Sequence, residues 1–232
     1  MEHPSKTVFI KSAGRETAAK KEVYFTRDNI RGKSLELLED LMYLRRRMPF
    51  VSDRSALLIL DMQQYFFHGA SHAFIPSATA IIDGINRLVR AFSDRRLPVI
   101  GTRHINTPQN AGQMSIWWRE HLTKDNPMSR LIDELECDGA VYLDKGQYDA
   151  FYQTPLMDML TEKDVRQIVI CGVMTHLCCE TTARSAFVRG MEVFFTIDGT
   201  ATYNEAFHRA TLLNLSHGFA VPVLIEEIIA GM

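Results

Sequence analysis

From Ala56 onward, short apolar runs alternate along the chain with longer segments in which apolar residues recur every three or four positions. The apolar runs predict strands at 56–60, 98–103, 140–143, 167–172, 191–197 and 221–225. The amphipathic segments between them predict helices. Strands that alternate with helices are typical of βα units. The pattern therefore predicts a doubly wound α/β fold, with helices on both faces of a mainly parallel six-stranded sheet.

Proline, glycine and capping residues mark where several of these helices begin and end. The first of the predicted helices starts at Pro76-Ser77 and carries its apolar face on residues from Ile81 to Phe92. Three further helices are predicted from Pro155 to Leu160, from near Cys178 to Gly190 and over about 204–217. Thr154 is predicted to cap the helix that opens with Pro155.

The chain before the first strand has a different character. Residues 1–22 are polar, which predicts a loosely packed segment. Residues 34–47 combine charges with a stripe of leucines, which predicts a helix that ends in the arginines 45–47 and stops at Pro49. We therefore divide the chain into an extension, 1–54, and a main domain, 55–232. The helix is expected to cover an apolar patch or a subunit contact.

Composition narrows the class of protein. The apolar fraction of 46% is ordinary for a globular chain, and the net charge of −2 gives no reason to expect nucleic acid or an anionic membrane as partner. No apolar run approaches the roughly 20 residues that span a bilayer, and the first residues lack the apolar stretch of a secretory signal. We expect a cytoplasmic protein whose four cysteines are reduced thiols.

Three chemically useful residues occur where predicted strands end. Asp61 follows the first strand, Lys145 follows the third, and Cys178 lies between the fourth strand and a helix. Because the carboxyl ends of parallel strands meet at one edge of a sheet, these side chains are predicted to share a cleft. The helix N-terminus and Lys145 would favour a thiolate at Cys178, and Asp61 could act as its general base. Cys179, one step around the helix, is expected to pack as a small apolar residue.

The stretches 58–66, 145–151 and 171–178 resemble the isochorismatase-like cysteine hydrolases, which include nicotinamidases, N-carbamoylsarcosine amidohydrolases and isochorismatases. The resemblance covers about 56–220, with Asp198-Gly199 matching the end of the fifth strand. It implies a catalytic triad of Asp61, Lys145 and Cys178, with Cys178 as nucleophile. It also implies a cis peptide at Val173–Met174 and an oxyanion hole made by the N–H groups of Met174 and Cys178.

Around this triad, four residues are candidates for binding substrate: Phe66, Trp118, Tyr148 and His176. Of the adjacent Trp117 and Trp118, at least one is expected to pack outside the pocket. Nicotinamidases carry an aspartate and several histidines near the second strand, whereas here that strand ends at Arg103-His104 without an acidic residue. We therefore predict no metal and no cofactor.

Two activities fit these residues. The first is hydrolysis of a small amide or carbamoyl C–N bond through a thioester on Cys178. The alternative is hydrolysis of the vinyl ether of isochorismate, with Asp61 as general acid. A non-catalytic binding protein on the same fold is a third reading, which the intact set of acid, ammonium and thiol disfavours. The partner is expected to be a small molecule, and the resemblance implies a homo-oligomer.

Overall fold

The computed structural model describes residues 20–118, 120–137 and 139–232. Within them, six strands form one parallel sheet in the order β3-β2-β1-β4-β5-β6. The strands are β1 (Ser55–Leu60), β2 (Val99–His104), β3 (Val141–Lys145), β4 (Gln167–Val173), β5 (Glu192–Ala201) and β6 (Val221–Val223). The chain runs outward from β1 to β3 and then crosses to β4. This confirms the predicted doubly wound fold and places the reversal of strand order between β1 and β4.

The two central strands approach each other closely at the point of reversal. Every residue of β1 and β4 is buried, as their continuous apolar sequences predict. Gly172 has a φ of +111°, and a Cβ atom there would lie 2.1 Å from the carbonyl oxygen of Leu60. Only glycine fits this position, which lies one residue before Val173 and opposite the residue that precedes Asp61.

Helices cover both faces of the sheet. They are α1 (Ile30–Leu41), α2 (Gln64–Phe67), α3 (Ile82–Asp94), α4 (Met114–Trp117), α5 (Leu156–Glu162), α6 (Glu180–Val188), α7 (Glu205–Gly218) and α8 (Ile225–Ala230). One core layer contains the apolar faces of α3 and α8, and the other contains those of α1, α5, α6 and α7. The short helices α2, α4 and α8 were not predicted. Among the described helices, none combines the length and apolar character needed to cross a bilayer.

Several predicted boundaries are wrong. Helix α1 begins at Ile30 and ends at Leu41, so the arginines 45–47 follow the helix and do not form its last turn. Arg45 instead pairs with Glu227 at 2.7 Å. Strand β5 continues past Asp198 to Ala201, with a shift of register against β4. Beyond the shift, β5 pairs with β4 again. The strand therefore does not end at Asp198-Gly199, as the resemblance implied.

The segment before α1 packs against the sheet. Residues 1–19, predicted to pack loosely, lie outside the described residues, but that prediction is wrong for Glu22, whose N–H donates to the carbonyl of Tyr203 at 2.8 Å. Tyr24 and Phe25 are buried in the core. The hydroxyl of Tyr24 accepts a hydrogen bond from the N–H of Thr202 at 3.0 Å and lies 2.8 Å from His208 Nδ1. Residues 20–25 are therefore tied to the connection between β5 and α7 and to α7 itself.

Candidate active site

Asp61 lies directly after β1 at the carboxyl edge of the sheet. Its φ of +53° is in the left-handed region, where aspartate is one of the better tolerated residues. The side chain is fully buried. Its Oδ1 accepts a hydrogen bond from Thr102 Oγ1 at 2.7 Å, and the Asp61 N–H donates to the Thr102 carbonyl at 3.2 Å. The neighbouring strand β2 therefore fixes the orientation of this carboxylate.

Lys145 is the last residue of β3 and reaches across the edge of β2 to Asp61. Its Nζ lies 2.8 Å from Asp61 Oδ2, 3.3 Å from Cys178 Sγ and 2.9 Å from the carbonyl oxygen of Gln147. An ammonium has three N–H donors, and these three contacts supply an acceptor for each. The buried charge is therefore fully partnered inside the protein.

Cys178 lies in a turn of π-helix, Thr175–Cys179, that connects β4 to α6. The prediction placed it at the start of a regular helix. The π-turn is the observed form, and turns of this kind are frequent at functional sites. The peptide bond between Val173 and Met174 is cis, as the resemblance implied. Cys179 is buried in the core layer on the α6 side of the sheet, which confirms its expected packing role.

The charges of these three residues follow from burial and from one another. Burial alone raises the pKa of Asp61, but the Lys145 ammonium and hydrogen bonds hold it below its ordinary value. Burial alone would lower the pKa of Lys145, but Asp61 and Cys178 raise it. Burial and the Asp61 carboxylate raise the pKa of the Cys178 thiol, and Lys145 offsets this only in part. The raised pKa therefore favours a neutral thiol over the thiolate that Lys145 and the helix N-terminus were expected to stabilise. The resting site holds a carboxylate, an ammonium and a neutral thiol.

A pocket opens beside Cys178. Its described lining residues are Tyr65, Phe66, Ala73, His104, Asn106, Trp118, Glu120, Leu122, Tyr148, Met174, Leu177 and Cys178. Most are apolar or aromatic, as is usual in small-molecule sites. Three of the four predicted binding residues therefore lie in the wall.

The two adjacent tryptophans separate as expected. Trp118 lines the pocket and donates a hydrogen bond from Nε1 to the hydroxyl of Tyr148 at 2.8 Å, whereas Trp117 is 81% exposed. His176 is not part of the described lining. Its Nδ1 lies 2.5 Å from Thr202 Oγ1, and its ring stacks on Phe207. The assignment of His176 to substrate binding stays a prediction that this geometry does not support.

Sequence reasoning missed several pocket residues. Tyr65, Asn106, Glu120 and Leu122 lie in the wall and were not singled out. His104 was considered only as a metal ligand. As the last residue of β2 it pairs in register with Lys145, so its place in the strand order could have revealed it.

A metal does not fit this cluster. One ligand atom each from Asp61, His104 and Cys178 lie within 4.8 Å of one another, and these residue types bind zinc. However, the Lys145 ammonium already contacts both Asp61 and Cys178, and its raised pKa keeps it charged. A divalent cation between the same two ligands would be repelled by this resident charge.

The doubly wound parallel sheet holds a buried acid, ammonium and thiol beside one pocket at its carboxyl edge, which is where such sheets bind ligands. A family model for the isochorismatase domain matches residues 55–227. Nicotinamidase 3 of Arabidopsis thaliana is 39% identical over 191 residues, which cover 79% of this chain and 91% of that protein. The chain therefore belongs to the isochorismatase family, and it is a hydrolase of that family.

Further similarities lie within the same family. Enterobactin synthase component B of Escherichia coli (strain K12) is 30% identical over 185 residues, which cover 78% of this chain and 64% of that protein. Among solved structures, a cysteine hydrolase from Pseudomonas syringae pv. phaseolicola 1448A superposes with a TM-score of 0.77 at 26% identity. The superposition covers 81% of this chain and 96% of that one.

Proposed function

We propose that the protein hydrolyses the C–N bond of a small amide or carbamoyl compound, with Cys178 as the nucleophile. The observation that carries the proposal is the buried contact of Lys145 Nζ with both Asp61 Oδ2, at 2.8 Å, and Cys178 Sγ, at 3.3 Å. Similarity to a nicotinamidase makes a primary carboxamide on a small aromatic ring, such as nicotinamide, the first substrate to test.

In the first half of the reaction, Cys178 Sγ bonds to the carbonyl carbon while its proton passes to the Asp61 carboxylate. The carbonyl electrons move onto the oxygen, which the N–H groups of Met174 and Cys178 are proposed to stabilise. The C–N bond then breaks, and Asp61 returns the proton to the departing nitrogen. Ammonia leaves, and the acyl group remains on Cys178 as a thioester.

In the second half, Asp61 takes a proton from water as the water oxygen attacks the thioester carbon. The C–S bond breaks, and the sulfur recovers a proton from Asp61. The net reaction adds one water to the amide and releases the acid and ammonia. Lys145 stays protonated throughout and compensates the charge that moves between sulfur and carboxylate.

The charge of the pocket also favours a neutral or cationic substrate. Among the described lining residues, Glu120 carries the one carboxylate, which lies 3.2 Å from His72 Nδ1, and no arginine or lysine is part of the lining. The surrounding Tyr65, Phe66 and Trp118 suit a flat apolar ring. An anionic substrate such as isochorismate would meet repulsion from Glu120.

The similarity to enterobactin synthase component B supports a second candidate, hydrolysis of the isochorismate vinyl ether. There Asp61 would have to donate a proton in the first step. The lowered pKa of Asp61 keeps it ionised near neutral pH, which suits a general base and opposes a general acid. We therefore place amide hydrolysis first.

Both candidates can be tested in one assay. The purified protein is incubated with nicotinamide, with carbamoyl compounds and with isochorismate, and ammonia and pyruvate are measured together. Amide hydrolysis predicts ammonia release that Cys178→Ala abolishes and that Cys137→Ala, a change at the cysteine remote from the pocket, leaves intact. Ammonia release by Cys178→Ala would refute the proposed mechanism. Pyruvate release that survives Cys178→Ala would instead establish the vinyl-ether reaction, and no turnover of any substrate would favour a binding protein.

A further inference from the structure

His104 is held rigidly at the edge of the sheet, between the strands that carry Asp61 and Lys145. Its N–H donates to Gln63 Oε1 at 2.7 Å, and its carbonyl accepts from Gln63 Nε2 at 3.1 Å. Gln63 itself is fully buried. The backbone of His104 is therefore fixed by a two-point contact, and its ring forms part of the pocket wall.

Hydrogen bonds also determine which ring nitrogen of His104 carries the proton. The carbonyl oxygen of Gly146 can only accept, so the Asn106 group 3.1 Å from it is the Nδ2 donor. Asn106 Oδ1 then faces His104 Nε2 at 3.1 Å and can only accept. His104 Nε2 therefore carries the hydrogen, and Nδ1 presents a bare lone pair.

The lone pair on His104 Nδ1 has no partner in the part of the chain that the structure describes. The atom is buried and, among the described residues, no side chain or backbone group donates to it. Burial and the nearby Lys145 ammonium lower the pKa of His104 to about 4, so the ring is neutral at pH 7. A buried acceptor without a donor is unfavourable, which points to a partner that arrives from the pocket.

We propose that His104 Nδ1 accepts a hydrogen bond from the amide N–H of the substrate and so selects amides that carry an N–H over esters. The inference rests on the proposed amide hydrolysis. One ligand atom of His104 lies within 4.8 Å of both the Asp61 carboxylate and Cys178 Sγ, so the ring borders the place where the C–N bond breaks. When one N–H of the tetrahedral intermediate donates to His104, the nitrogen lone pair is free to turn toward Asp61, from which it must receive its proton.

The test compares an amide with an ester that has the same acyl group. Nicotinamide and methyl nicotinate give the same thioester on Cys178, but only the amide has an N–H to donate. We expect His104→Phe to lower kcat/KM for nicotinamide about tenfold, the effect of losing one buried hydrogen bond, and to leave methyl nicotinate within about twofold. His104→Asn, whose amide oxygen can occupy the Nδ1 position, should restore most of the nicotinamide activity. His217→Phe, the same change at an exposed position of α7, is the matched control.

The outcomes separate this inference from the function on which it rests. If the wild type hydrolyses both substrates and His104→Phe slows them equally, or slows neither, the role of His104 is refuted while amide hydrolysis stands. If the wild type hydrolyses neither substrate but releases ammonia from another compound of the panel, the same comparison is made with that compound and the matching ester; if it releases ammonia from none, both proposals fail. The tautomer has its own measurement: ¹⁵N NMR of the free protein should show His104 protonated at Nε2 alone at pH 7. A proton on Nδ1 would overturn the inference whatever the kinetics.

Discussion

Lys145 Nζ lies 2.8 Å from Asp61 Oδ2, and neither side chain has any surface exposed to solvent. Each charge is stabilised mainly by the other, since burial by itself opposes both. The same ion pair is therefore expected to contribute both to the free energy of unfolding and to the proposed reaction. Removing one partner leaves an uncompensated buried charge, whereas removing both does not.

This coupling can be measured with a double-mutant cycle. Lys145→Met is expected to lower the free energy of unfolding by about 3–5 kcal/mol and to reduce ammonia release at least about 100-fold. Asp61→Asn combined with Lys145→Met should recover much of the stability but none of the activity, because both charges are gone. Urea denaturation measures the first quantity and turnover of nicotinamide the second. Lys163→Met, at an exposed lysine, is the control. Additive stability effects of the two changes would contradict the coupling.

The raised pKa of Cys178 predicts slow alkylation in the free enzyme. Burial and the Asp61 carboxylate keep the sulfur protonated near neutral pH, so iodoacetamide should react with it slowly and faster as the pH rises above 8. Asp61→Asn removes one cause of the raised pKa, so alkylation of Cys178 at pH 8 should accelerate while turnover is lost. Mass spectrometry of the modified peptide follows the rate. Equal alkylation rates in the wild type and the variant would show that Asp61 does not govern the thiol.

The strand-end positions of the candidate site could be predicted from sequence because they depend on a local pattern. Asp61, Lys145 and Cys178 each follow an apolar run, and parallel strands bring such positions to one edge. The position of Arg45 outside the helix could not be predicted from a local pattern. A cluster of arginines suits a helix C-terminus, but here Glu227, 182 residues away, pairs with Arg45 outside the helix. Local helix propensity does not distinguish an arginine in the last turn of a helix from one just beyond it. Here a contact with a residue distant in sequence decides between the two positions.

The charge state of Cys178 was also beyond sequence reasoning. A position near a helix N-terminus lowers a thiol pKa, but complete burial raises it more, and burial depends on the assembled pocket. His104 shows the same limit. Its residue type raised the question of metal, whereas its bare Nδ1 is defined only by the hydrogen bond to Asn106 and the further one to Gly146.

Buried histidines predict a loss of stability in mild acid. Burial lowers the pKa of His208 to about 3, whereas histidine in the unfolded chain has its ordinary value near 6.5. Between these values the unfolded chain binds a proton that the folded protein does not, so the free energy of unfolding falls as the pH falls. From pH 6.5 to pH 5 this one residue should account for about 2 kcal/mol.

The contribution of His208 to this loss of stability can be measured by comparing how the free energy of unfolding of the wild type and of histidine variants depends on pH. Urea denaturation at pH 7.5 and pH 5 should show a smaller decrease for His208→Asn than for the wild type. His217→Asn, an exposed histidine of the same helix, should leave the decrease unchanged. If His208→Asn kept the full decrease, protonation of this residue would not cause it.

The segment before α1 should stabilise the main domain through Tyr24. Its hydroxyl accepts from the Thr202 N–H at 3.0 Å and lies 2.8 Å from His208 Nδ1, so it serves two buried groups at once. Tyr24→Phe keeps the ring but leaves both groups unpaired, which should lower the free energy of unfolding by about 1–3 kcal/mol. Tyr43→Phe, at a tyrosine that is 77% exposed, should change it by less than about 0.5 kcal/mol. Equal effects of the two substitutions would mean that this hydroxyl contributes nothing, and that the segment is held by its other contacts, such as the Glu22 hydrogen bond and the buried ring of Phe25.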